Sequence, residues 1–278
     1  MKNKYRRNLI NMPILAFALA TGIAQAGLTE AAAAAPEAPV EDVISGVLKL
    51  DFNSHFISYG ADVWKDGTSL SEPTFNPMIE LAFALPNDLT ATVGTWMDIN
   101  SKVGGGSSPN GGRVQEVDFW TGLSYSFDKL TVSATYQAWT YVGSTEDILD
   151  IKFAYDTILA PSLTIHNRLD AGASGGNTGT VLVLGLGHSM EAGPVAISFP
   201  VNIAYFLEDD FHAGTDNGFG FASVGVAGTL PLSPYIGDGF GAWDLNAGLT
   251  YYITDDEVIP GNPVDSFLTA SAGLSVAF

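Results

Sequence analysis

Apolar and polar residues alternate along most of this chain with a period of two. In "VLKLDFNSHFIS", Leu48, Leu50, Phe52 and Phe56 share one face, and Lys49, Asp51, Asn53 and His55 share the other. In "LTATVGTWMDIN", Leu89, Ala91, Val93, Met97 and Ile99 oppose Thr90, Thr92, Gly94, Trp96 and Asp98. "VQEVDFWTGLSYSF" sets Val117, Phe119, Leu123, Tyr125 and Phe127 against Glu116, Asp118, Trp120, Gly122 and Ser124. This is the period of a β-strand, whose side chains point alternately to opposite faces. Twelve such segments of about ten residues run from Gly46 to Phe278, and helical periodicity is absent beyond residue 26.

The connections between the segments sort by length. After the second, fourth, sixth and eighth they are tight: "PND", "DK", "APS" and "EAG". After the first, third, ninth and eleventh they are long and polar: "GADVWKDGTSLSEPT", "SKVGGGSSPNGGR", "EDDFHAGTDNG" and "DDEVIPGNPVD". Those around "GSTED" and "GASGGNTG" are intermediate, and "PLSPYIGDGFGA" breaks the rule. Two ends with different loops face different media. The pattern predicts an all-β, transmembrane, antiparallel up-and-down β-barrel of about 12 strands over residues 46–278, with short periplasmic turns and long outer loops. Pro77 and Pro200 each remove a ladder hydrogen bond, so a bulge or local break is expected at each. The seventh segment turns Asn167 toward lipid.

The last segment, "DSFLTASAGLSVAF", carries Leu268, Ala270, Ala272, Leu274, Val276 and Phe278 on one face. Its strand has to close the barrel against the first, because lipid tolerates no unpaired edge. Leu274, Val276 and Phe278 resemble the C-terminal assembly signal that the barrel-insertion machinery reads. Val276 stands where many such signals carry Tyr.

"MKNKYRRNLINMPILAFALATGIAQA" has Lys2, Lys4, Arg6 and Arg7, then a short apolar stretch, then Ala24-Gln25-Ala26. Residues 1–26 therefore read as a secretory signal, too short in its apolar part for the roughly 20 residues that span a bilayer. Residues 27–45, rich in Ala, Pro and Glu, read as a flexible periplasmic lead-in. These features predict the outer membrane of a Gram-negative-type bacterium.

Removing the signal leaves seven Lys+Arg against 30 Asp+Glu, so the formal charge of −19 becomes −23. Such an excess argues against nucleic acid as a partner. There is no cysteine, which excludes disulfides and thiolate chemistry.

The inward face carries the candidate chemistry. Its acids are Asp51, Glu80, Asp98, Glu116, Asp118, Asp150, Asp156, Asp170 and Asp244; its bases are Lys49, Lys152 and Arg168. Asp98, Glu116, Asp118 and Asp150 fall near the outer ends of their strands and are expected to ring the outer mouth. Carboxylate rings favour cations. The alternative is that these charges pair with one another inside a polar lumen, with Asp150/Lys152 and Arg168/Asp170 as ladder pairs. Inward Trp96, Trp120 and Trp139 narrow the pore, or line a track for a sugar or nucleoside. Twelve tilted strands give a backbone diameter of roughly 24 Å and a free lumen of at most about 10 Å.

Catalytic and metal signals are weak. His188 and Ser189 are adjacent in a strand and point to opposite faces, which no hydrolytic dyad permits. His55, His166, His188 and His212 lack metal-ligand spacing. "LEDDFHAGTDNG" lacks the D-x-[DN]-x-[DN]-G pattern of a calcium loop. The G-x-G of "GLGHS" lies within a strand and forms no phosphate loop. Asp62, Asp66, Glu146, Asp210 and Glu257 read as solvated outer-loop acids. No enzymatic activity, cofactor or metal is expected. The expected partners are membrane lipid, lipopolysaccharide, the barrel-assembly machinery and small solutes.

Three stretches resemble the porin family usually called TorF: "FNPMIELAFALPNDLTATVGTWMDIN", "VQEVDFWTGLSYSFDKLTVSATYQAWTY" and "ISGVLKLDFNSHFISYG". The resemblance covers roughly residues 44–160. Tyr59-Gly60 stands where the family has Arg-Gly, and the Tyr-Pro after the fifth strand is missing. The resemblance implies an outer-membrane channel and carries over no catalytic residue. Two functions follow from the sequence: a porin-like channel for small, preferentially cationic or neutral solutes, or a closed structural or adhesive barrel.

Overall fold

The structure, a computed structural model, describes residues 44–102, 113–237 and 241–278. The expected signal (1–26) and nearly all of the expected lead-in (27–45) lie outside the described residues. So does most of "SKVGGGSSPNGGR".

The strands are β1 (Ile44–Asn53), β2 (Ile57–Ser58), β3 (Ala61–Asp62), β4 (Thr74–Leu85), β5 (Leu89–Ile99), β6 (Val114–Phe127) and β7 (Leu130–Tyr141). They continue as β8 (Ser144–Tyr155), β9 (Ser162–Asp170), β10 (Gly179–Ala192), β11 (Val195–Phe206), β12 (Gly218–Pro231), β13 (Ala242–Thr254) and β14 (Ser266–Ala277). All but β2 and β3 form one closed antiparallel barrel of twelve strands, each paired with its sequence neighbours and β1 paired with β14. The first strand starts at Ile44, two residues earlier than the pattern suggested.

The alternation in sequence becomes an alternation across the wall. On β6, Phe119, Leu123, Tyr125 and Phe127 stand exposed outside, while Glu116, Asp118 and Trp120 are buried inside. Leu184, Phe199, Val224, Leu245 and Leu274 continue the exposed apolar surface around the ring. An exterior this apolar on a closed sheet suits lipid and not water. Asn167 faces outward as expected, and its amide is held by the Leu149 carbonyl (3.1 Å).

The loop lengths sort as expected, with one exception. At the end that holds both barrel termini the connections are 86–88, 128–129, 156–161, 193–194 and 232–241; the last contains a single helical turn, α1 (Ser233–Ile236). We call this the turn end. At the loop end they are 54–73, 100–113, 171–178, 207–217 and 255–265, but β7 and β8 are joined by only Val142-Gly143. Both of those residues have positive φ (49° and 75°), as a type I′ hairpin requires.

Both prolines leave the local break that was expected. Around Pro77, the β4–β5 ladder skips from Phe75↔Ile99 to Met78↔Trp96 without changing register. Around Pro200, the β11–β12 ladder skips from Ser198↔Ala227 to Val201↔Val224. The register shifts lie elsewhere, at Asp98/Ile99, Asp147/Ile148 and Ala204/Tyr205.

The seam between first and last strands extends past β14. Phe278 N donates to Gly46 O at 3.0 Å, and Gly46 N donates to Phe278 O at 2.8 Å. A Cβ at Gly46 would stand 2.6 Å from the Phe278 ring, so glycine is what lets the ring lie across β1. Val276 is buried, against the expectation that it meets lipid; it packs where Gly241 leaves room.

Candidate functional site

The loop end of the lumen is filled by the chain itself. β1 was expected to run on through Phe56, with that ring facing outward. It stops instead at Asn53, and the chain turns inward. Residues 54–73 carry the small hairpin β2–β3, whose tip is Tyr59-Gly60. Both tip residues have positive φ (46° and 82°). A Cβ at Gly60 would lie 2.6 Å from Phe221, so only glycine meets both demands there.

The hairpin inserts an apolar wedge. Phe56, Ile57 and Tyr59 are completely or almost completely buried, together with Trp139, Ile148, Val181, Phe206 and Phe221 of the wall. The Phe56 ring lies 5.2 Å from Trp96, and the Tyr59 ring lies 3.8 Å from His166 and 6.3 Å from Trp139. Two further loops close over it. Phe211 packs on Tyr59 and Phe206, and Val258 and Ile259 join the same core. Asn262 Nδ2 donates to Gly60 O (2.9 Å), and Asn262 Oδ1 accepts from Asp62 N (2.7 Å). His212 Nε2 donates to Tyr59 O (3.1 Å), which requires a neutral or charged ring protonated at Nε2.

Polar ties fix the wedge to the wall and to itself. Trp64 Nε1 donates to Asp98 Oδ2 (2.8 Å), and Lys102 Nζ bridges to Asp66 (2.5 Å). Asp62 Oδ2 accepts from Gly67 N (2.7 Å), and His55 Nε2 meets Gly67 O (2.9 Å). Tyr59 Oη and Asp150 Oδ1 both lie within reach of His166 Nδ1, at 2.5 and 2.6 Å.

The sequence-predicted residues fall into two groups. Asp98, Glu116, Asp118, Asp150, Arg168, Trp96 and Trp139 do point inward at the loop end, but the wedge covers them. Arg168 does not pair with Asp170. It forms an ion pair with Glu146, donates to Phe211 O and Asn177 O, and stacks over the Phe211 ring at 3.6 Å. Tyr141 also donates to Glu146. Asp150 is held by His166 and Gln137. Nearer the turn end, Lys49, Asp51, Glu80 and Lys152 are half-buried, and Glu80 accepts from Trp120 Nε1 (2.7 Å). Asp156 and Asp170 are exposed at strand ends and line nothing.

Sequence reasoning missed the wedge and two buried acids, Asp62 of the wedge and Glu146 of the wall. Asp62 and Glu146 looked like solvated loop residues and are buried. The available signal was the apolar content of "HFISYGADVW", a loop that needs no Phe, Ile, Tyr or Trp if water surrounds it. Among the described residues no group of three or more His, Asp or Glu side chains has metal-binding geometry.

No protein-family model matches the chain, and no curated protein matches it. Among solved structures it is similar to the NanC porin, with 10% identity, TM-score 0.46, and coverage of 83% of this chain and 98% of that one. It is similar to outer membrane phospholipase A from Escherichia coli, with 11% identity, TM-score 0.43, and coverage of 84% and 92%. It is also similar to Salmonella typhi OmpF, solved in complex with daunomycin, with 8% identity, TM-score 0.41, and coverage of 84% and 97%.

Proposed function

We propose that the chain is an outer-membrane, porin-like channel for small cationic or neutral solutes, shut in this state by residues 54–73. The observation that carries this reading is the insertion of the β2–β3 hairpin into a lumen whose wall there bears Asp98, Glu116, Asp118, Glu146 and Asp150 against Arg168. Once the wedge is displaced, that wall is a ring of carboxylates in a narrow passage, which attracts cations. The resemblance of residues 44–160 to TorF porins supports the same reading.

A closed structural or adhesive barrel is the second reading, and the continuous apolar core around Phe56, Ile57 and Tyr59 favours it. Planar-bilayer recording separates the two. The wild type is expected to be mostly shut, with brief openings. Replacing residues 55–72 by a short Gly-Ser turn should give steady, cation-selective conductance, read from the reversal potential across a salt gradient. In that background, Asp98→Asn, Glu116→Gln and Asp118→Asn together should abolish most of the preference. A wild type that never opens, beside a conducting deletion variant, assigns the protein to the structural reading. An anion-selective deletion variant overturns the cation preference.

A further inference from the structure

The wall around the wedge has two unlike halves. From β5 to β8 its inward side chains include the acids Asp98, Glu116, Asp118, Glu146 and Asp150, with Trp96 and Trp139 among them. From β10 to β14 they are apolar: Val181, Val183, Phe206, Phe221, Tyr252 and Phe267, all buried. Burying carboxyl groups is costly unless something compensates them. A wall that only had to seat a plug would be better apolar all round.

Asp118 lies within the acidic half. In the β5–β6 ladder it stands opposite Trp96, and in the β6–β7 ladder opposite Trp139. Opposed residues on one face of a sheet have Cβ atoms about 5 Å apart, so the acid is flanked by two indoles. Asp118 is 3% exposed, and its Oδ1 has no hydrogen-bond partner among the described residues. The basic side chains described near it are placed elsewhere. Lys65 and Arg113 are exposed, Lys102 bridges to Asp66, and Arg168 bridges to Glu146. A carboxylate between aromatic rings suits an organic ammonium, which meets a counter-charge and the ring quadrupoles together.

The wedge fills this space with related chemistry. Toward the acidic half it turns rings and uncharged donors. Trp64 Nε1 donates to Asp98 Oδ2 (2.8 Å), the Phe56 ring lies 5.2 Å from Trp96, and the Tyr59 ring lies 6.3 Å from Trp139. Toward the apolar half it turns flat surface. The His55 ring stacks on Phe267 at 5.6 Å, and Gly60 lies so close to Phe221 that a Cβ there would stand 2.6 Å from the ring. The wedge brings no lysine or arginine to the acids, because its single lysine, Lys65, is exposed.

We propose that the wedge stands in for the solute, and that the solute is an organic ammonium on an aromatic body, with Asp118 as its counter-charge between Trp96 and Trp139. Such a cation makes the charged contact that the wedge does not, and so displaces it. A small inorganic cation offers nothing to the apolar half, and an uncharged aromatic offers nothing to Asp118.

This inference rests on the reading of the barrel as a channel with a movable wedge, and two readouts keep them apart. The chain has no cysteine, so Ile57→Cys places a single thiol where the native side chain is 0% exposed. Its rate of labelling by a methanethiosulfonate reagent, in refolded full-length protein, reports wedge release; bilayer conductance reports passage. Phenethylammonium is the probe. Methylammonium supplies the charge without the ring, and phenethyl alcohol the ring without the charge. The expected result is severalfold faster, saturable labelling with phenethylammonium, and little change with either control at the same concentration. Adding Asp118→Asn should remove most of the acceleration. Ser58→Cys replaces Ile57→Cys if the latter fails to refold, which heat-modified migration on a gel reveals.

Labelling no faster with phenethylammonium than with either control overturns the solute assignment, even if ion conductance upholds the channel. An acceleration that Asp118→Asn leaves unchanged also overturns it. Faster labelling without conductance upholds the solute class and removes the channel.

Discussion

His212 lies in the loop 207–217, beside Arg168 and the hairpin carbonyl that it holds. Burial, then the Arg168 charge, pushes its pKa down to about 3 from 6.5. A depressed histidine adds stability that is complete above its unfolded pKa and is lost as pH falls toward the folded one. The loop closure should therefore weaken from about pH 6.5 downward. Because the ring is partly accessible, we expect about 1 kcal/mol lost by pH 5 instead of the roughly 2 that the full shift implies. Protease sensitivity of this loop, measured at neutral and mildly acid pH, checks the sign; His212→Gln should flatten the profile. Arg168 gives a larger effect. Truncating it to Ala leaves the buried Glu146 with the Tyr141 hydroxyl but no cation, a change that typically costs about 3–5 kcal/mol. Denaturant midpoints of the barrel in detergent should show that loss, and Glu146→Gln in the same chain should recover part of it.

At the scale of single elements, the strands were legible and the wedge was not. A strand writes its two faces directly into the order of residues, and β6 is inside-out in the chain as it is in space. The hairpin β2–β3 has no such signature, because two residues per strand leave no room for a period. "VLKLDFNSHFIS" even continues the alternation past Asn53, where the backbone has already left the wall. The partners of Tyr59, His166 and Phe211, come from positions more than a hundred residues away, which no local pattern reports. The Val142-Gly143 turn was hidden for a related reason, since a β-branched residue is a poor sign of a type I′ hairpin. That residue stores strain: its φ of 49° suits Asn or Gly and not Val. Val142→Asn should raise stability by about 1 kcal/mol in the same denaturant assay. A Pro200→Ala exchange should close the gap in the β11–β12 ladder, and slowed amide hydrogen exchange near residues 199–201 would record it.

On the scale of the whole molecule, the lumen has a polar turn end and a tightly packed loop end. Small Ser and Thr side chains and glycines, with Lys49, Asp51, Glu80 and Lys152, occupy the turn end, while the loop end is packed as the core of a water-soluble protein is. The stability of the wall and the stability of the closure therefore arise from different contacts. Removing residues 55–72 should leave a closed twelve-stranded sheet, visible as an unchanged far-ultraviolet dichroism spectrum, because none of them pairs with a barrel strand. Deleting Phe278, or replacing Gly46 by Leu, should instead reduce the yield of closed barrel on refolding, since both disturb the β1–β14 seam.

That seam also governs the order of events when the chain folds. Eleven of the twelve strand pairings join neighbours along the chain, except that β1 reaches β4 across the wedge segment, so each can zip from a nearby turn. The twelfth brings Val47 to Ala277, across almost the entire folded length. The entropy of closing a loop rises only slowly with its length, but the rate of forming contacts falls steeply as their separation grows. Until that last meeting occurs, the sheet is an open ribbon with two bare edges, able to pair with any other strand nearby. Premature loss of the final residues would leave the hairpins up to β12–β13 intact and still yield a molecule that polymerises instead of closing.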